Sequence, residues 1–146
     1  MLPPPEEDLE RRRPLWQALS DLFLDDETTA DTLSYIALVA ASSAYTEDEI
    51  EAIYRREVAP AVAGNFFDPA GVWGCFNPVI LERWILERCS LGYWFSRLIV
   101  APLPLWILRH DWRRVKILVA RERESAREAK ERVIEPWKNL HGETSP

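Results

Sequence analysis

Between Leu105 and Glu135 the chain contains neither proline nor glycine. That is long enough for one uninterrupted helix of roughly 30 residues, and Pro104 suits its first turn because the missing N–H is not needed there. Leu105, Leu108, Trp112, Val115 and Val119 recur at alternating spacings of three and four, the seam of a helix laid against a partner. Beyond Ala120 the same seam meets only Glu122, Ala126, Ala129 and Val133. The stretch RERESAREAKER is therefore a good helix former that buries little, and it is expected to project from the body or meet a partner.

The rest of the chain reads as shorter helices. PLWQALSDLFL places Leu15, Trp16, Leu19, Leu22 and Phe23 on one stripe, which predicts a first helix over 14–24, preceded by a loose tail over 1–12. A second helix is expected over 30–41, capped by Thr28 or Thr29, with Leu33, Ile36, Ala37 and Ala40 inward. In YTEDEI, Thr46 and Glu49 have the spacing of a capping box, with Tyr45 and Ile50 as its hydrophobic staple. Ile50, Ile53, Tyr54 and Val58 continue that third helix, which Pro60 should kink or end. Residues 60–76 read as a packed irregular loop, Asn77 and Pro78 open a fourth helix to about Cys89, and a fifth covers 91–101. LIVAPLPLWIL, Leu98 to Leu108, divides at its prolines into a buried elbow. No alternating strand pattern and no repeat stands out. The expected class is all-α: a single-domain bundle of about six helices over 13–135, with a long C-terminal helix and a tail over 136–146.

Charge is divided unevenly. Residues 1–76 hold 15 Asp and Glu against 5 Lys and Arg, residues 77–146 hold 9 against 13, and the net charge is −6. An acidic front suits a basic partner or a fold whose halves neutralise each other. Chemistry is scarce by comparison. Two cysteines, Cys75 and Cys89, and two distant histidines, His110 and His141, offer no metal-ligand spacing. The thiols read as reduced and buried. GVWGCFN has no histidine near its cysteine, and no phosphate-binding loop occurs. No cofactor and no catalytic residue is expected. RHDWRRVK resembles a nucleic-acid-binding helix, but the pI near 5.0 and the seam position of Trp112 argue against that use. MLPPPEEDLERRR lacks the apolar core of a signal peptide, which points to the cytoplasm.

Two functional readings follow. In the first, the chain is a non-catalytic binding protein whose partner has a basic surface, met by Asp21, Asp25, Asp26, Glu27 and Asp31, with Glu47, Asp48 and Glu51 placed beside them. In the second, residues 91–120 touch a membrane surface through GYWF, the apolar run and five basic residues, a stretch too short in its uncharged part to span. RRPLWQALSDLFLDDE, YTEDEIEAIYRREVAPAV and NFFDPAGVWGCF, within residues 12–76, resemble a family of small bacterial proteins carrying a domain of unknown function. Small acidic proteins of that type include immunity proteins. The resemblance implies an antitoxin-like inhibitor of a neighbouring toxin, and no catalytic residue comes with it.

Overall fold

A computed structural model describes the backbone of residues 2–24, 28–62, 75–90 and 105–141, and the side chains of 2–24, 28–62, 75–89 and 111–135. Among the described residues there is no strand. Six α-helices occur among the described residues: α1 Leu9–Ser20, α2 Ala30–Ser42, α3 Glu47–Ile53, α4 Ala59–Val62, α5 Pro78–Ser90 and α6 Leu105–His141. The all-α class and the helix count agree with the sequence pattern. The expected helix over 91–101, the elbow and most of the irregular loop lie outside the described residues.

Three boundaries differ from expectation. The first helix starts at Leu9, not Pro14, and a 3-10 turn, Pro5–Glu7, precedes it. Residues 2–12 are no loose tail: Arg12 is fully buried, and its Nη2 donates to the Pro3 carbonyl at 2.8 Å. Pro14 sits on the exposed side of α1, where the carbonyl of exposed Glu10 that loses its intrahelical donor is open to solvent. Pro60 does not end the third helix either. A π turn, Tyr54–Val58, intervenes, in which the Ala59 N–H reaches back to the Tyr54 carbonyl. That i to i+5 bond widens the helix just before the residue that has no N–H to give, and the path continues into α4. The long helix likewise runs past Pro136 to His141.

Capping follows the sequence closely. Thr29 Oγ1 accepts from the Thr32 N–H (3.1 Å) at the start of α2. Thr46 Oγ1 accepts from the Glu49 N–H (3.3 Å), while Glu49 Oε2 accepts from the Thr46 N–H (2.9 Å), so both halves of the capping box form. Asn77 Oδ1 takes the N–H groups of Val79 and Ile80 at the start of α5.

The inward faces meet in one apolar cluster. Leu15, Trp16 and Leu19 of α1, Leu33, Ile36 and Ala40 of α2, Ile50 and Ile53 of α3, and Leu81 and Ile85 of α5 are all buried in it. From α6, Trp112, Val115 and Val119 close it. The Trp112 indole stacks on Tyr54, with ring centroids 4.4 Å apart and planes 8° from parallel. Arg123 is the last side chain of α6 seen to hold the body: its Nη2 donates to the backbone carbonyls of Tyr45 (2.5 Å) and Ala40 (3.4 Å). Those carbonyls lie at and just beyond the C-terminal end of α2, where a cation is favoured. From Glu124 to Val133 every side chain is exposed, as the failing seam predicts.

Candidate functional site

The α1–α2 hairpin carries the acidic candidates. Arg11, Pro14 and Leu15 of α1 share a groove with Leu38, Val39 and Ala44, so the start of α1 lies beside the end of α2 and the two helices run antiparallel. Asp21 follows the end of α1 and Asp31 opens α2, which brings both to one end of the hairpin. Asp31 is exposed and forms no ion pair among the described residues. Asp21 is half-buried, and burial with no cation to offset it pushes its carboxyl up to about 6. Asp25, Asp26 and Glu27 lie outside the described residues.

Glu47 and Asp48 are exposed and unpaired among the described residues, in the first turn of α3, where negative charge suits the helix dipole. They do not stand beside Asp31 as expected. Tyr45, just ahead of α3, is covered by Arg11 from the start of α1, with the guanidinium 4.5 Å from the ring centre. Two acidic clusters therefore occupy opposite ends of the hairpin, separated by α2, whose 13 residues span about 20 Å. Glu51 belongs to neither. It accepts from Lys116 Nζ at 2.8 Å and pairs with Arg55 at 2.9 Å, and the Lys116 hydrogen bond holds its carboxyl below the usual range. Its charge is spent on tying α3 to α6.

A second cluster, missed in the sequence, is buried between α1 and the π turn. Glu57 accepts from Arg12 Nη1 and from Trp16 Nε1, the latter at 2.8 Å. Asp8 lies 3.7 Å from Arg12 Nε and accepts from the Tyr45 hydroxyl. Burial opposes the Arg12 charge, but Glu57 outweighs it and holds the guanidinium above its ordinary pKa. Burial, then the bond to Asp8, pushes the Tyr45 phenol up to about 12. The signal was present. Arg12 and Trp16 are four apart, and Glu57 stands four after Ile53 and seven after Ile50, so opposite charges occupy inward positions of two apolar stripes. Arg12 is paired with Glu57 and lies within ion-pair distance of Asp8, although its Nε makes no hydrogen bond, and the cluster clasps α1 to the π turn.

The other candidates resolve simply. Among the described residues no group of three His, Cys, Asp or Glu is placed to hold a metal ion. Both cysteines are free. Cys75 is exposed, against the expectation that it is buried, because the adjacent Phe76 takes the inward position. Cys89 is half-buried, and burial pushes its thiol up to about 11. No helix among the described residues is long and apolar enough to cross a membrane. Of residues 91–120, the backbone up to 104 and the side chains up to 110 lie outside the described residues; among the described side chains Trp112, Val115 and Val119 face inward and Ile117 is exposed. Within RHDWRRVK, Arg114 is 3.6 Å from Asp111, and Lys116 is bound to Glu51.

A family model described as Domain of unknown function (DUF7079) matches residues 10–118. The chain belongs to the DUF7079 family. The match extends the resemblance read at 12–76 through α5 and into the half of α6 that packs on the body. It stops at Leu118, one residue before Val119, the last buried side chain of α6, so the exposed half of that helix falls outside the family domain. No curated protein and no solved structure matches the chain.

Proposed function

We propose that this DUF7079 protein is a non-catalytic binding protein of the immunity or antitoxin type, acting in the cytoplasm, which neutralises a toxin by covering its basic or active-site surface with the acidic N-terminal half. The observation that carries this reading is the contrast among its surface acids. Glu51 and Glu82 are engaged by Lys116 and Arg13 within the fold, whereas Asp31, Glu47 and Asp48 are exposed and Asp21 is half-buried with no cation to neutralise it. Unneutralised charge of one sign raises encounter rates with a surface of the other sign and weakens as salt is added.

The test uses the chain co-expressed with the product of its neighbouring gene. Replacing Asp25, Asp26, Glu27 and Asp31 by Asn or Ala should slow association and reduce recovery of the complex, while the melting temperature stays as in the wild type. Unchanged affinity in the fourfold variant removes the reading.

A further inference from the structure

The α2 helix, ADTLSYIALVAAS, holds a single charged residue, Asp31, in 13 residues. Its inner face is filled by Leu33, Ile36, Ala37 and Ala40. Its outer face carries two large apolar side chains: Tyr35 is 49% exposed and Leu38 55%, and with Asp31 and Ser42 they follow one another at spacings of four, three and four along one stripe. Neighbouring large apolar side chains left open on a helix face mark a contact surface.

Beside Leu38 the stripe opens into a groove of about 680 Å³ between α1 and α2, walled by Pro14, Leu15, Leu38, Val39 and Ala44. Two of its polar side chains, Ser43 and Arg11, are already engaged. The Ser43 hydroxyl donates to the Ala40 carbonyl at 2.6 Å. Arg11, at the rim, is 3.5 Å from Asp8 and lies over the Tyr45 ring, so it offers the groove its stem rather than a free charge. Along the hairpin the order is thus acid, apolar, acid: Asp21 and Asp31 at one end, Tyr35, Leu38 and the groove in the middle, Glu47 and Asp48 beyond the other end. An anionic membrane surface would be repelled at both ends. A protein segment with the opposite order is attracted at both and buries its centre.

We propose that the outer face of α2 and the adjoining groove are the docking surface for a cationic amphipathic segment of the partner, which places Lys or Arg toward Asp31 and toward Glu47 and Asp48 and sets a large apolar side chain between Leu38 and Pro14. This rests on the acidic-docking reading above and gives the partner its chemistry. Buried apolar anchors surrounded by polar contacts are how such surfaces concentrate binding energy.

The full chain is titrated with two synthetic peptides of equal length and charge, one a Lys/Leu amphipathic sequence and one a Lys/Gln sequence. The Lys/Leu peptide binds about tenfold tighter or more, the gain expected from burying one large apolar side chain. Leu38→Asp removes that advantage with the melting temperature unchanged, and Asp31→Asn weakens both peptides. Equal binding of the two peptides, or a Lys/Leu advantage that survives Leu38→Asp, overturns the groove while leaving the acidic reading intact. If neither peptide binds at low salt, the acidic reading falls too. A wild-type dimer in sedimentation that Leu38→Asp converts to monomer assigns the face to a second copy and also overturns the proposal.

Discussion

Glu57 is the residue on which most of the buried polarity of the fold depends. It is 8% exposed and takes hydrogen bonds from both Arg12 and Trp16. Glu57→Gln leaves the Arg12 guanidinium in the interior without its counter-charge, and the expected loss of stability in urea unfolding is about 3 to 5 kcal/mol. The double variant Arg12→Met, Glu57→Leu removes both charges and should lose less than Glu57→Gln alone. A double variant that loses more shows the pair to be worth more than apolar packing. Asp21 makes the opposite kind of statement. Its carboxyl is raised from 3.8 to about 6 by burial, so the folded chain holds this proton more tightly than the unfolded chain does. Stability contributed by the protonated form is therefore complete below about pH 3.8 and is lost as pH rises through about 6. Solvent still reaches the group, which reduces the effect to the order of 1 kcal/mol. Asp21→Asn should gain that amount near neutral pH and nothing at about pH 3, in melts taken at both.

At the scale of elements, the legible features were those governed by neighbours in sequence. The capping box at Thr46 and Glu49, the Thr29 and Asn77 caps and the stripes of α1, α2 and α3 all follow from spacings of three and four, and all formed. Thr46→Ala breaks both bonds of the box and should cost about 1 kcal/mol in the unfolding midpoint. An unshifted midpoint would mean that Tyr45 and Ile50, not the cap, fix the start of α3. What could not be read depends on contacts across the fold. Arg12 looked like part of a charged tail because its partner is 45 residues away, and at Pro60 a kink and an end of the helix could not be told apart because the π turn that accommodates it has no local sequence mark. Separation of the two acidic clusters is likewise a property of the antiparallel hairpin, not of either helix. The acids themselves were legible; that α2 presents Tyr35 and Leu38 between them was not, since large apolar side chains occur on its outward stripe as well as on its inward one.

At the scale of the whole molecule, Arg123 separates the part of α6 that packs on the core from residues 124–133, whose side chains are all exposed. Among the described residues, the pairs made by 124–133 are weak ones within the helix itself, Arg127 with Glu131 (3.4 Å) and Glu128 with Arg132 (3.9 Å). Ala129→Gly should speed amide exchange across 124–135 and leave the global melting temperature unchanged, since a glycine costs an exposed helix about 1 kcal/mol locally. A lowered melting temperature would show this stretch to be packed. The attachment point has a mechanical side. Arg123 grips the carbonyl of Tyr45, whose ring lies under Arg11 and whose hydroxyl reaches Asp8 in the Arg12 clasp. Val133 stands ten residues farther along, an arm of about 15 Å. A load applied at Val133 thus reaches this joint before the packed seam behind it, and the joint borders both the rim of the groove and the start of α3.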